Sequence, residues 1–472
     1  MNGIIEELTR AKQDLPEAFP DFDWGDWRET ADAAVDGVFL FYTREPIEIG
    51  RRGVDWSGSQ VKHQEWPAQI NRFMQLPCLA KAWRRTRQAK YAEAARDYIE
   101  DWIDSHEPYD PHGDRAAGDS SLNMAIRLGG VRFPGWFGVL PDLADSNAFD
   151  EAFADRMAEA VGWQLDWLTI NLSPGQNWRI AALDALFTNA LRLPDRFGRH
   201  LAPAVERLNT EFSAQILPDG VHVERCAGYH DWMCTVYTSL WRLGRRRPEL
   251  GLAFDDFRVA RMNAYTLHHT KPNGFSCAFN DAAGGGWRTD ETNAARLPAA
   301  LANYRQVAEE AGVEPAPDGL GPFLAAGQVF YRTGWDADAT WWAFDAGTFP
   351  GGHSHLSRLG IELHNGRRTT LPDPGIFDYE MSNPFAVVGK GTPAHSTMNL
   401  DLRNQADVDA HLLRATDGPG AVVLHGRYAG GYWTGDLRWR FVEGRGAGTY
   451  GVHDRIVVWL KDRAMVVLDC LS

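Results

Sequence analysis

Residues 316–323 read APDGLGPF, and the hydrophobic pattern of the chain changes across them. Before this break, apolar residues recur every three or four positions. Phe149, Phe153, Met157, Val161 and Leu165 form a ladder at i, i+4, which predicts one buried stripe on a helix. KYAEAARDYIEDWIDS (90–105), WRIAALDALFTNALRL (178–193), APAVERLNTEFSAQIL (202–217) and CTVYTSLWRL (234–243) follow the same period. Breaks such as LSPGQ (172–176), RLPDRFG (192–198) and LPDG (217–220) separate them. The expectation is a series of antiparallel helical hairpins, compatible with a helical toroid.

After the break the period is two. QVFYRTGW (328–335), ATWWAFDAG (339–347), SRLGIELHNG (357–366), GAVVLHGRYAG (420–430), LRWRFVEG (437–444) and DRIVVWLK (454–461) are short alternating runs bounded by turn residues. HNGR (364–367) is a hairpin signal. The pattern predicts a β-sandwich. Two domains follow, helical over 1–320 and antiparallel β over 321–472. The chain stops at MVVLDCLS, inside an expected strand, so the β-domain is expected to continue beyond it.

The chain has 472 residues, enough for two cores. Lys plus Arg number 48 against 63 Asp plus Glu, a net charge of −15 that argues against general nucleic-acid or membrane-surface binding. An anionic sugar stays admissible, because a local basic cluster outweighs distant charge. The opening MNGIIEELTRAKQDLPEAF lacks an apolar h-region and is not a signal peptide. The chain as written is therefore expected in the cytoplasm, or in the periplasm or outside the cell if a leader has been removed. No long apolar run predicts a membrane helix. Five scattered cysteines without a CxxC suggest reduced thiols.

Several stretches carry residues suited to chemistry. SLNMAIRLGG places Asn123 and Arg127 on one helix face, and SPGQNWRIAA places Asn177 and Trp178 at the mouth of a helix. LPDGVHVERCAGYHDWM carries Glu224, Tyr229 and His230 on a loop entering a helix. In the β half, His353 and His355 flank one serine, LPDPG supplies Asp373, and TPAHST supplies His395. Neutral imidazoles with a carboxylate suit a borderline divalent metal, zinc above all. If 353–361 is a strand, His353 and His355 project to one face.

Taken in order, these stretches resemble the heparinase II/III-like polysaccharide lyases, a group that includes oligoalginate lyases. The resemblance rests on NxxxR at Asn123/Arg127, NW at 177–178, DGVHVERCAGYH at 219–230, KPNGFSCAFND at 271–281, HSH…DPG…Y across 353–379 and AHSTMNLD…Q at 394–405. It implies an incomplete (α/α) toroid followed by an antiparallel β-sandwich. The implied reaction is β-elimination at a uronic acid, giving 4,5-unsaturated uronate ends on a glycosaminoglycan, or secondarily on alginate. Asn177 would hydrogen-bond the carboxylate and stabilise the enolate-like charge. Tyr229 would be the acid, and in syn elimination both acid and base, with His353 a second base or a partner of the carboxylate. Asn123, Arg127 and Trp178 would contact the anionic sugar chain. The resemblance further implies one divalent cation, mainly structural, on His355, Asp373 and His395. Two positions depart from the family pattern: Trp178, where many members have histidine, and Ser357, where many have an acidic residue.

Three other readings compete. A cupin would bind one metal with His353, His355 and His395 for redox or isomerase chemistry, but it gives no role to the long helical half. A toroid glycoside hydrolase needs two opposed carboxylates, for which Glu224 and Asp231 are the available pair. A non-catalytic sugar-binding protein would use the nineteen tryptophans as its platform.

Overall fold

The computed structural model describes residues 3–42, 45–282, 293–314, 319–349, 351–366, 368–433, 448–461 and 463–472. The expected strand at 437–444 lies outside these residues. The chain packs as two compact units, one of Met1–Phe212 with Thr235–Ala253, the other of Ser213–Cys234 with Phe254–Ser472. Helix gives way to strand between Ala311 and Gly319, at the sequence break, whereas the packing units divide elsewhere.

The first unit is built of helices. From Phe153 onward the expected ladder belongs to the helix Glu151–Ile170, with Phe149 just before its cap. Asp150 caps it by accepting from the Phe153 N–H at 2.8 Å. Phe153, Met157, Val161 and Leu165 are all essentially inaccessible, so the stripe is buried as its spacing requires. The helix Gln176–Arg192 is buried almost throughout from Ile180 onward, and Ile4–Asp14, Ser121–Leu128 and Glu151–Ile170 pack on it. Among the described residues no helix is long and apolar enough to cross a membrane.

In strand order the chain has β1 (Val38–Phe41), β2 (Glu45–Glu48), β3 (Gly319–Phe323), β4 (Gln328–Arg332), β5 (Trp341–Asp345), β6 (Gly360–Asn365), β7 (Arg368–Leu371), β8 (Asn404–Gln405), β9 (Ala410–Asp417), β10 (Ala421–Tyr428), β11 (Tyr432–Trp433), β12 (Gly448–Thr449), β13 (His453–Leu460) and β14 (Ala464–Leu471). In the second unit β3 to β7 form an antiparallel meander, and β14-β13-β10-β9 form a second antiparallel sheet. The HNGR turn joins β6 to β7 with Asn365 opposite Arg368 and Gly366 at φ +57°. Alternation sorts the side chains. Val329, Tyr331, Trp342, Phe344 and Ile361 meet Val422, Leu424, Val457 and Trp459 of the second sheet. Phe330, Trp341 and Ala343 point the other way, onto Ala264, Tyr265, Tyr304 and Ala308 of the helices Asp256–His269 and Arg296–Ala311. β4 and β5 are therefore buried on both faces, at every position. A buried Lys271–Glu362 pair at 2.6 Å ties the end of the first of these helices to β6. Helical layer, five-stranded sheet and four-stranded sheet make this unit a covered sandwich.

Candidate functional site

Tyr229 stands in the first turn of the helix Ala227–Arg246, so the loop 217–226 sets its position. Its ring stacks on His353, with centroids 3.9 Å apart and planes 28° apart. Its hydroxyl lies 2.7 Å from the hydroxyl of Tyr379. Burial pushes both phenols above their ordinary value, so each keeps its proton near neutral pH. A protonated phenol beside an imidazole is an acid–base couple, and both side chains remain partly accessible.

The segment carrying the histidines is not the strand that the spacing suggests. Residues 351–359 form turns, Gly351 sits at φ +82°, and β6 begins only at Gly360. Groups distant in sequence hold this irregular backbone, among them the Thr392 hydroxyl donating to the Leu356 carbonyl and the Thr397 hydroxyl donating to the Arg358 carbonyl. Buried Arg358 donates to the carbonyl oxygens of Thr348 (2.9 Å) and His355 (3.1 Å) and to the Ser354 hydroxyl (3.1 Å). Buried Arg225 pairs with Asp345 and donates to the Thr348 carbonyl. Asn280, at φ +63° where asparagine is tolerated, accepts from the His355 N–H at 3.2 Å and donates to the Arg225 carbonyl at 2.9 Å.

The two histidines consequently point to different places. His353 faces Tyr229, with its Nε2 3.8 Å from a carboxylate oxygen of buried Glu224. His355 turns inward beside His395, ring centroids 5.3 Å apart. One residue joins them: Asp281 meets His353 Nδ1 through Oδ2 and His355 Nε2 through Oδ1, both at 2.9 Å. Lys390 also pairs with Oδ1. Burial alone would raise Asp281, but the hydrogen bonds from His353 and His355 and the Lys390 charge hold its carboxyl far below the usual range.

His355, Asp373 and His395 are all buried and bring three ligating atoms within 4.8 Å of one another. Among the described residues the ring atoms His355 Nδ1 and His395 Nε2 have no hydrogen-bond partner. An inaccessible nitrogen without a partner is costly, so these residues fit a bound cation. Burial holds His355 down at about 4, keeping its imidazole neutral, the form that binds metals. Asp373 touches His395 Nδ1 at 2.7 Å. Burial would raise its carboxyl, but His395 lowers it. The trio does not include His353, which a cupin-type centre would require.

The remaining predicted residues belong to the first unit. Arg127 is fully buried rather than presented to a ligand. It pairs with buried Asp119 at 2.7 Å, donates to Gln164 and the Asn71 carbonyl, and lies over Trp102. Asn123 is buried too, accepting from Arg72 and donating to the Gly118 carbonyl. Asn177 is buried in the first turn of its helix, while neighbouring Trp178 is 40% exposed. Of the hydrolase pair, Asp231 is taken up by His269 at 2.9 Å and Arg296 at 2.6 Å, so it is no free partner for Glu224.

Sequence reasoning did not single out Asp281 or Tyr379. Asp281 closes KPNGFSCAFND, which entered only as one motif of the family resemblance, and its partners lie 72 and 74 positions later. Tyr379 closes the HSH…DPG…Y motif, but nothing in the sequence marks it as a neighbour of Tyr229.

Two family models match the chain in order. Heparinase II/III N-terminus matches residues 25–305, and Heparinase II/III-like, C-terminal, matches residues 317–434. The heparin-sulfate lyase of Pedobacter heparinus is 23% identical over 80% of this chain and 58% of its own length. That of Bacteroides thetaiotaomicron is 21% identical over 81% and 58%. The chain thus spans less than two thirds of the curated relatives it matches. A crystal structure of heparinase III superposes with a TM-score of 0.75 at 19% identity, covering 98% of this chain and 77% of that one. That of heparan sulfate lyase HepC from Pedobacter heparinus gives 0.60 at 21%, covering 99% and 73%. The shared fold is a helical toroid followed by an antiparallel β-sandwich.

Proposed function

Because the chain belongs to the heparinase II/III family, we propose that it is a polysaccharide lyase whose substrate is a uronate-containing polysaccharide of the heparan sulfate class. The observation that carries this reading is the stacking of Tyr229 on His353, 3.9 Å between rings, with a phenol held in its protonated form. Elimination needs a base at C5 and an acid at the 4-oxygen. His353 Nε2 takes the C5 proton. The C–H electron pair forms the C4–C5 double bond, the bond from C4 to the bridging oxygen breaks, and Tyr229 protonates that oxygen. The imidazolium formed at His353 is stabilised by Glu224, 3.8 Å from Nε2, and by Asp281 on the other side of the ring.

We further propose that His355, Asp373 and His395 hold one divalent cation, zinc by the chemistry of the donor set. Bound there, it would brace the segment from which His353 reaches substrate, and no step of the reaction passes through it.

The test is incubation with heparan sulfate, hyaluronan, chondroitin sulfate and alginate, followed by ultraviolet absorbance. Strongest absorbance growth on heparan sulfate supports the reading. Growth on alginate alone would move the substrate class. New reducing ends without absorbance would replace elimination with hydrolysis.

A further inference from the structure

Asp281 is buried, and each of its carboxylate oxygens meets a different histidine. A carboxylate only accepts hydrogen bonds, so the ring nitrogen facing it must carry the proton. That decides the tautomer of both rings at once, and in opposite senses. For His353 the proton sits on Nδ1, facing Oδ2, which leaves the Nε2 lone pair on the Glu224 side. For His355 the proton sits on Nε2, facing Oδ1, which leaves the Nδ1 lone pair, and that is the atom without a hydrogen-bond partner.

We propose that Asp281 is a positioning residue that makes His353 a proton acceptor at Nε2 and His355 a ligand at Nδ1, through one carboxylate divided between them. This rests on the lyase reading for the role of His353 and on the proposed cation for the role of His355. The backbone reinforces it: the Asp281 N–H donates to the His353 carbonyl at 3.0 Å, so carboxylate and histidine segment move together. Lys390 makes the two oxygens unequal, because it donates to Oδ1, the oxygen shared with His355.

That inequality gives an asymmetric test. In Asp281→Asn the carboxamide oxygen is held on the side where Lys390 and His355 donate. The amide nitrogen then faces His353 Nδ1 and donates to it, driving the His353 proton to Nε2. The variant is expected to bind added zinc with wild-type stoichiometry by elemental analysis and to keep KM within about threefold. Its kcat should fall by roughly a thousandfold or more, the scale seen in another enzyme, a serine protease, when an amide replaces the carboxylate that orients its catalytic histidine. Asp281→Ala should lose both zinc and turnover. Nitrogen-15 spectra of histidine-labelled protein, with His353→Gln and His355→Gln to assign the signals, should show opposite neutral tautomers in the wild type. In Asp281→Asn only the His353 signal should invert.

Matching tautomers in the wild type would overturn the proposal, as would an Asp281→Asn variant that loses zinc yet keeps its kcat. If neither Asp281 variant folds, the wild-type spectrum decides alone. A wild type inert on every uronate polysaccharide would sink the lyase reading, and the spectra and zinc content would still decide the tautomers.

Discussion

Tyr229 and Asp373 separate two kinds of dependence within one small volume. Tyr229→Phe removes one hydroxyl and keeps the ring that stacks on His353. Turnover on heparan sulfate is expected to fall at least a hundredfold, the usual contribution of a positioned acid. Melting temperature and substrate binding should stay near wild type, since Tyr379 is partly accessible and can bond water instead. Near-normal turnover in this variant would remove Tyr229 from the reaction. Asp373→Ala acts differently, because it strips buried His395 of its 2.7 Å partner and the proposed cation of the trio's carboxylate. Metal content should drop below one per chain and the melting temperature should fall, with added zinc no longer raising it. Bound ligand at a hundred times its dissociation constant stabilises a fold by about 2.7 kcal/mol, so the shift should be readily measured. Wild-type protein that carries no metal after zinc addition would refute this.

At the level of elements, regular structure was legible from the sequence and irregular structure was not. The helix ladder from Phe153 to Leu165 appears where the pattern places it, because burial of a periodic face is what the period encodes, and β4 and β5 form where strands are expected although they are buried at every position. The 351–359 segment breaks that logic. Its shape comes from Arg358, Arg225 and Asn280, whose bonds span up to 123 positions and leave no periodic trace. Arg127 misled in the opposite way: a polar residue on an i, i+4 face reads as available, yet buried Asp119 neutralises it inside the core. For the candidate site, motif order brought forward Tyr229 and the trio His355, Asp373 and His395, which the structure gathers within 4.8 Å, while Asp281 and Tyr379 needed three-dimensional proximity.

One element of the first unit predicts a pH response. Asp184, fully buried on the helix Gln176–Arg192, accepts from the Val131 N–H at 3.0 Å and the Thr188 hydroxyl at 2.9 Å. Burial nonetheless raises its carboxyl to about 6. Unfolded, it titrates near 3.9, so between these values the folded chain holds a proton that the unfolded chain has released. Its contribution to stability is complete below about 4 and is lost as pH rises through about 6. Asp184→Asn removes that titration. Relative to the variant, the wild-type melting temperature should therefore decline from pH 4 to 6 and level off above. A flat difference would show that Asp184 is ionised in the folded state throughout.

For the molecule as a whole, the second unit draws Ser213–Cys234 from within the helical half of the sequence. A fragment starting at residue 321 would lack Arg225, leaving buried Asp345 to the Gly347 N–H at 3.3 Å and the longer 3.5 Å contact of Arg358, and would lack Tyr229 and Asp281. Removing one member of a buried ion pair typically costs about 3–5 kcal/mol, a large part of a domain's stability. The fragment is expected to be insoluble or unfolded by circular dichroism, whereas one starting at residue 213 retains every partner of Asp345 and Asp281 described above. A well-folded 321–472 fragment would show that Arg225 is dispensable to the sandwich.

The Arg225–Asp345 pairing also has a consequence for synthesis. The two residues are 120 positions apart, and translation runs at roughly 5–20 residues per second. Arg225 therefore waits at least several seconds on the ribosome for its carboxylate, and the histidine segment cannot set until both have emerged. The Tyr229 loop is made early and completed late, so nascent-chain folding of this unit should be gated by arrival of β5, not by formation of the helices that precede it.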